Sequence, residues 1–388
     1  MRIALDARWI FQQSSGIGEH TRLLIKGLQA LDTPHEWILL FDDEELAEQV
    51  TRELGCTWEK EILPYGLFSL QNQIKLPRWL RRNKVEVYHS TNYMMPLPGF
   101  PRHRRGKVRA VITIHDLIPM VFRDHAPRSR KSRLYPIYAL LMREVAARSD
   151  AIVTVSQSSR DDIIRLLHLP KKARGKIRVV YNGLHPRYKP DPDTARKDPP
   201  EILYVGRLDP YKNVPQLISA FGESRKKLPL GTRLRIIGPP DERYPEAMSI
   251  ARQLDLFPHM DWEGHVDDTT LLEAYRRASV VVLPSHYEGF GLPVAEAMAC
   301  GTPVICSNAS SLPEVAGEDA LYVPPGDLHA LADALTEVLS TPKTARRLAE
   351  AGPKRAQRFT VETMAKETLA VYESLISIPS TPNPETTP

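Results

Sequence analysis

Glu288 and Glu296 bracket the run Gly289-Phe290-Gly291-Leu292-Pro293. A carboxylate accepts hydrogen bonds from hydroxyls, and two acceptors held close together can grip a sugar or a ribose. The parts of an anion site lie around them. The stretch Ser279 to Leu283 reads as a buried parallel strand, and Val294 to Cys300 reads as a short helix with Pro293 at its first position and Gly301 at its end. The two glycines between allow a ligand close to the backbone. A helix start above a strand end presents unpaired N–H groups and partial positive charge. Strand, glycine loop, helix and two carboxylates together suit a ligand that carries both phosphate and hydroxyl groups. The plain alternative, a tight turn with two surface glutamates, accounts for each part singly but not for the ordered set.

Three other places carry candidate chemistry. Arg207 and Lys212 follow the strand Ile202 to Val205, and two cations beyond a strand end suit a diphosphate. Gly16-Ile17-Gly18 follows the first strand as a glycine turn. It lacks the third glycine of a dinucleotide fingerprint, so a phosphate-facing loop and an ordinary strand-to-helix turn both remain open. His115, with Asp116 beside it, ends the strand Ala110 to Ile114, where an imidazole can donate to a substrate hydroxyl or carbonyl. Asp191-Pro192-Asp193 sits in a proline-rich stretch without neighbouring ligands and reads as a connector, not a metal site.

The elements that must position these residues alternate strand and helix through the chain, the pattern of an α/β protein with parallel sheets covered on both faces. Strands are expected at Arg2 to Ala7, Trp37 to Phe41, Val85 to His89, Ala110 to Ile114, Ile152 to Val155 and Ile177 to Val180. A second set is expected at Ile202 to Gly206, Arg233 to Gly238, Met260 to Gly264, Val280 to Leu283, Pro303 to Cys306 and Leu321 to Val323. Residues 191–200 interrupt the rhythm with prolines and read as a linker between two doubly wound domains, 1–190 and 201–360. Residues 361–376 form a last helical pattern, and the Pro- and Thr-rich residues 377–388 read as a disordered tail.

With 388 residues the chain has room for two cores, and its 42% hydrophobic and 26% charged content is that of a soluble globular protein. Three scattered cysteines, no signal sequence and no long apolar run favour a cytoplasmic protein. The net charge of +5 is unevenly placed: Lys75 through Arg133 holds fifteen Lys or Arg against Glu86, Asp116 and Asp124. Lys75, Arg78, Trp79, Arg81, Arg82 and Lys84 suit an anionic membrane surface, with a solvated basic face as the alternative. No nucleic-acid reading motif accompanies them, so nucleic acid is not an expected partner.

The Glu288–Glu296 block, Gly206-Arg207-Leu208 with Lys212-Asn213, and Gly16 to Gly18 together resemble the retaining GT-B glycosyltransferases of family GT4, over residues 1 to about 376. His115-Asp116-Leu117-Ile118-Pro119 resembles the subset found in bacterial polysaccharide clusters, often mannosyltransferases. The resemblance implies a GT-B fold, two Rossmann-like domains facing across a cleft. The first would bind an acceptor and the second a nucleotide-diphosphate sugar, with GDP-mannose favoured and no metal or other cofactor required. Arg207 and Lys212 would hold the diphosphate and Glu288 would face the sugar. The amides of Phe290, Gly291 and Leu292, beside Gly289, would lie near sugar and phosphate, and Glu296 would bind the ribose. Gly16 and Gly18 would sit by the phosphate and His115 by the sugar and acceptor, the last being a saccharide or a lipid-linked one. The last helix would cross back to the first domain. Glu19-His20 departs from the usual family residues after the glycines. An epimerase of the same fold and a non-catalytic nucleotide-sugar-binding protein are the alternatives.

Overall fold

The computed structural model describes residues 1–12, 15–102, 106–122 and 135–376. The expected tail at 377–388 and part of the basic region lie outside the described residues. Seven strands form the first sheet: β1 (Arg2–Asp6), β2 (Glu36–Phe41), β3 (Glu59–Ile62), β4 (Val87–Ser90), β5 (Arg109–Thr113), β6 (Ala151–Thr154) and β7 (Ile177–Val179), in the order β3-β2-β1-β4-β5-β6-β7. Six form the second: β8 (Glu201–Val205), β9 (Arg233–Ile237), β10 (Met260–Glu263), β11 (Val280–Leu283), β12 (Val304–Ser307) and β13 (Leu321–Val323), in the order β10-β9-β8-β11-β12-β13. Every strand pairing in both sheets is parallel. In each sheet the strand order reverses once, between β1 and β4 and between β8 and β11. A crevice opens at such a point beyond the strand ends, because successive helices leave on opposite faces. The candidate residues follow β1, β5, β8 and β11.

Strand β11 is apolar throughout, as burial on both faces requires, and Val280 to Leu283 is fully buried. β3 was not expected. Its Glu-Lys-Glu-Ile sequence is that of an edge strand, where charge blocks further pairing.

Helix Val361–Ile376 joins the first lobe. Met364, Ala365, Val371, Tyr372 and Leu375 pack in one core with Ile3, Leu5, Val87 and Val111. The Tyr372 hydroxyl lies 2.5 Å from His89 Nδ1, and the other ring nitrogen of His89 lies 2.9 Å from Thr113 Oγ1. A Cβ on Gly27 would come within 2.8 Å of Ala365 and Val361, so only glycine allows this close approach of helices Gly16–Gln29 and Val361–Ile376. The two chain crossings between lobes run side by side: Leu184 bridges to Thr360, and its amide donates to the Phe359 carbonyl at 2.8 Å.

Several boundaries move for local reasons. Gly16-Ile17-Gly18 is not a turn ahead of a helix but the first turn of helix Gly16–Gln29, because Ser15 is extended and its hydroxyl accepts from the Gly18 amide at 3.0 Å. Pro293 is second, not first, in helix Leu292–Ala299, since Gly291 takes the cap. β4 begins at Val87 because the Val85 amide closes the end of helix Leu70–Arg82, donating to Leu80. Trp79 is half-buried and packs against the first-lobe core, which gives a structural reason for a tryptophan among arginines.

Candidate active site

Beyond β8 the chain turns at Gly206, whose φ of +148° favours glycine. The buried Tyr204 hydroxyl donates to the Arg207 carbonyl at 2.6 Å and fixes this turn. The Arg207 side chain is 70% exposed, 2.8 Å from Asp209 and 3.3 Å from the Tyr211 hydroxyl. Its guanidinium is held by partners of its own loop while most of the side chain stands in solvent. Lys212 follows in a 3-10 turn, then Asn213 at φ +57° opens helix Val214–Ser224 without a side-chain cap.

Beyond β11 the loop Ser285–Gly291 lies against the first one, the His286 amide donating to the Tyr211 carbonyl at 2.7 Å. Glu288 is 6% exposed. Its carboxylate receives Lys212 Nζ at 2.8 Å on each oxygen and Ser285 Oγ at 2.7 Å. Its amide donates to Ser310 Oγ at 2.8 Å, and Ser311 Oγ donates to the carbonyls of Glu288 at 3.0 Å and Phe290 at 2.8 Å. Burial alone would lower the Lys212 pKa; the adjacent Glu288 more than reverses this and keeps the amine charged. Gly291, at φ +99°, then opens helix Leu292–Ala299, again without a side-chain cap. One turn in, Glu296 accepts from the Tyr275 hydroxyl at 2.7 Å. Burial pushes its carboxyl up to about 7, against the opposing effect of that hydroxyl.

The first lobe closes over this loop. Ser159 Oγ lies 3.0 Å from the His115 carbonyl and 3.2 Å from the Gly289 carbonyl, which belong to opposite lobes. A Cβ on Gly289 would stand 3.0 Å from both the His115 oxygen and Asp116 Cβ. His115 Nε2 is 3.0 Å from the Thr91 carbonyl. A carbonyl only accepts, so Nε2 carries the proton and Nδ1 holds a lone pair. Burial keeps the ring pKa below its ordinary value, so the neutral form persists. The ring nitrogen left over, Nδ1, is thus an acceptor, where the sequence suggested a donor.

Arg207, Lys212, Glu288, Gly289, Phe290, Gly291, Leu292 and Glu296 thus occupy two adjoining loops and the helix that follows, and His115 faces them from the other lobe. Gly16 and Gly18 stand apart on their own helix. They connect to the site through His20, whose ring meets that of His115 edge-on at 4.7 Å and whose Nδ1 is 2.8 Å from Asn182 Oδ1. Gly18 also borders a cavity of about 320 Å³ lined from both lobes, with Glu19, Arg187 and Asp268. Sequence reasoning missed His20, Ser159, Tyr275 and the serine pair 310–311. The departure at Glu19-His20 was a signal for the first; the others act only through space. Among the described residues no group of three or more His, Cys, Asp or Glu is placed to hold a metal, and no helix is long and apolar enough to cross a membrane.

The family profile described as Glycosyltransferase Family 4 matches residues 14–188, and that described as Glycosyl transferases group 1 matches residues 189–355. The O-antigen chain mannosyltransferase B of Escherichia coli is 30% identical over 413 aligned positions, covering 97% of this chain and 100% of that protein. A glycogen synthase of Mycobacterium tuberculosis is 32% identical, covering 74% of this chain and 69% of its own length. Among solved structures, the sucrose-phosphate synthase of Thermosynechococcus elongatus matches with a TM-score of 0.75 at 22% identity, over 97% of this chain and 99% of that one. Anabaena Alr3699/HepE in complex with UDP and glucose matches at 0.70 and 19%, over 97% and 100%. At such identities the structural matches speak to the fold alone. With both halves matched by their profiles and a relative aligned along its whole length, the chain belongs to the group 1, family 4 glycosyltransferases and has their two-lobed GT-B fold.

Proposed function

We propose that this protein transfers mannose from GDP-mannose, with retention of configuration, to a saccharide or lipid-linked acceptor in bacterial surface polysaccharide synthesis. The observation that carries the proposal is the ion pair of Lys212 with Glu288, set between two loops beside a helix start that no side chain caps. A cation and an anion held in one place suit the two ends of an activated sugar, the diphosphate and the hydroxyl-bearing ring. The mannosyltransferase relative supports the sugar.

In this reading residues 1–190 bind the acceptor, 191–200 link the lobes, 201–360 bind the donor and 361–376 return to the first lobe. Arg207 and Lys212 hold the diphosphate, Glu288 and the stretch Gly289 to Leu292 meet the sugar and phosphate, and Glu296 accepts from the ribose hydroxyls. Gly16 and Gly18 flank the phosphate without side chains. His115 Nδ1 accepts from a hydroxyl of the sugar or the acceptor. The bond from the anomeric carbon to the diphosphate breaks, a bond to the acceptor oxygen forms on the same face, and the acceptor proton passes to the departing phosphate oxygen. The charge that grows on the diphosphate is met by Arg207, Lys212 and the amides at Leu292, so the step requires no metal. The enzyme works at the cytoplasmic face of the membrane, with Lys75, Arg78, Arg81 and Arg82 against anionic lipid.

A thermal-shift panel of nucleotide sugars tests the donor. GDP-mannose at about 100 times its dissociation constant should add roughly 2.7 kcal/mol of stability. Stabilisation by UDP-sugars alone would reject the base, and stabilisation by none would reject the nucleotide-sugar site. Liposome binding unchanged after charge reversal of Arg78, Arg81 and Arg82 would reject the membrane contact.

A further inference from the structure

Helix Gln157–Leu166 of the first lobe meets the second lobe along one face. Its first two amides, Gln157 and Ser158, donate to the carboxylate of Glu314 at 2.9 and 3.0 Å, and Glu314 stands on helix Leu312–Ala316 of the other lobe. Ser159 bridges the carbonyls of His115 and Gly289. Three residues on and on the same face, Asp162 accepts from the Tyr287 hydroxyl at 2.6 Å. Both members of that pair are nearly out of solvent, at 6% for Tyr287 and 8% for Asp162. Arg165 pairs with the other oxygen of Asp162, so both carboxylate oxygens have a partner. Phe122 of the first lobe adds an edge-on contact to the Tyr287 ring at 5.9 Å.

The residues on either side of Glu288 are therefore fastened to the opposite lobe, while the Glu288 carboxylate is held from within its own. We infer that Tyr287 and Asp162 are a positioning pair that makes the aim of Glu288 depend on contact between the lobes. When the lobes meet, Asp162 fixes position 287 and Ser159 fixes position 289, and the peptide between them has one orientation. When they part, both ties break and the loop keeps the contacts of its own lobe, among them those with Lys212, the Tyr211 carbonyl and serines 310–311. The donor is then aligned for reaction only while the acceptor lobe is in place. This inference rests on the reading of Glu288 as facing the donor sugar.

The test compares wild type with Tyr287→Phe, Asp162→Ala, Asp162→Asn and the Tyr287→Phe/Asp162→Ala double variant. Transfer kinetics are read beside the donor dissociation constant from calorimetry. Tyr287→Phe and Asp162→Ala should each lower kcat by about ten- to a hundredfold, the scale expected for a misplaced reacting group. The donor dissociation constant should stay within about twofold. The double variant should be no slower than the slower single one, and Asp162→Asn, which keeps an acceptor oxygen, should recover most of the rate. A kcat for Tyr287→Phe within twofold of wild type, or losses that multiply in the double variant, overturns the pairing. Tyr287→Phe removes one oxygen from the side chain, so it remains decisive if Asp162→Ala fails to fold. Amide hydrogen exchange across residues 285–291 gives a readout independent of turnover: exchange should quicken at least several-fold in Tyr287→Phe, and an unchanged rate also overturns the pairing. Wild-type protein that binds and transfers no sugar would instead reject the proposed function, with the exchange result still standing on its own.

Discussion

The two lobes open their helices differently. In the first, helix Gly16–Gln29 is capped by Ser15, Glu44–Leu54 by Asp43, Leu70–Arg82 by Ser69 and Gln157–Leu166 by Ser156, each through a side-chain oxygen that accepts a first-turn amide. In the second, Asp267 and Asp327 do the same for helices Asp268–Arg277 and Leu328–Ser340. Helices Glu246–Gln253, Leu312–Ala316 and Pro342–Ala356 have no side-chain cap, and neither do the two helices that follow the site loops, which differ from those three in opening on a left-handed residue. Val214–Ser224 opens on Asn213 and Leu292–Ala299 on Gly291, both in the left-handed region, both with proline in the first turn and neither with a side-chain cap. A capped helix start has spent one of its amides on its own chain; an uncapped one keeps that donor for a ligand. Glycine at a cap costs little stability compared with Ser or Asp, so the second lobe can hold its amides in reserve at small expense.

The contrast can be broken at its strongest point first. Removing both cations beside the open helix starts, Arg207→Ala with Lys212→Ala, should lower kcat by about 10³-fold or more, because each preorganised charge or donor at a developing anion is worth roughly 10²-fold or above. A double variant with a near-normal rate would mean that the open starts serve some other purpose. Next in size is Gly289→Ala. Its methyl would press on the His115 carbonyl and Asp116 at 3.0 Å, so the contact between the lobes must loosen. We expect kcat to fall about tenfold or more while donor affinity, measured by calorimetry, holds.

The third prediction concerns pH. In the proposed role Glu296 accepts from both ribose hydroxyls as a carboxylate, and burial pushes its carboxyl up to about 7. Below that pH it is mostly protonated and above it mostly charged. Donor affinity should therefore rise between pH 6 and pH 8, and Glu296→Gln should flatten the profile. A slope that survives the substitution would place the titrating group elsewhere. The smallest effect sharpens the contrast from the other side. Ser15→Ala should cost about 1 kcal/mol of stability in denaturant titration, as lost caps do, and leave kcat within about twofold. A large loss of donor affinity instead would mean that the first lobe's glycine helix also holds ligand through its amides.

The parallel sheets and the second-lobe site could be read from the sequence because they are local. Val280 to Leu283, the glycine loop and Glu296 follow one another along the chain, and each position carries its own signal. Arg207 and Lys212 were legible for the same reason, just past a strand end. What escaped was held together across distance. Nothing in Ser-Asn-Ala-Ser-Ser at 307–311 says that two of its hydroxyls will cradle the Glu288 loop. Nothing near Glu314 announces that it will cap a helix of the other lobe. The glycines at 16 and 18 misled in a definite way: glycine is permissive, and Ser15 drew both into a helix whose first turn sequence alone reads as a bend. The edge strand Glu59–Ile62 has no apolar period to reveal it.

One consequence follows from the return of helix Val361–Ile376 to the lobe where the chain starts. His89, fully buried in that lobe, waits for a partner, Tyr372, that lies 283 residues further along the chain. During synthesis the second lobe can be complete while the first still lacks part of its wall, so the lobe translated first is the last to finish. A nascent chain halted before residue 361 would therefore present an assembled donor half beside an exposed strip of Ile25, Leu28 and Val87, a surface for chaperones that the full-length protein hides.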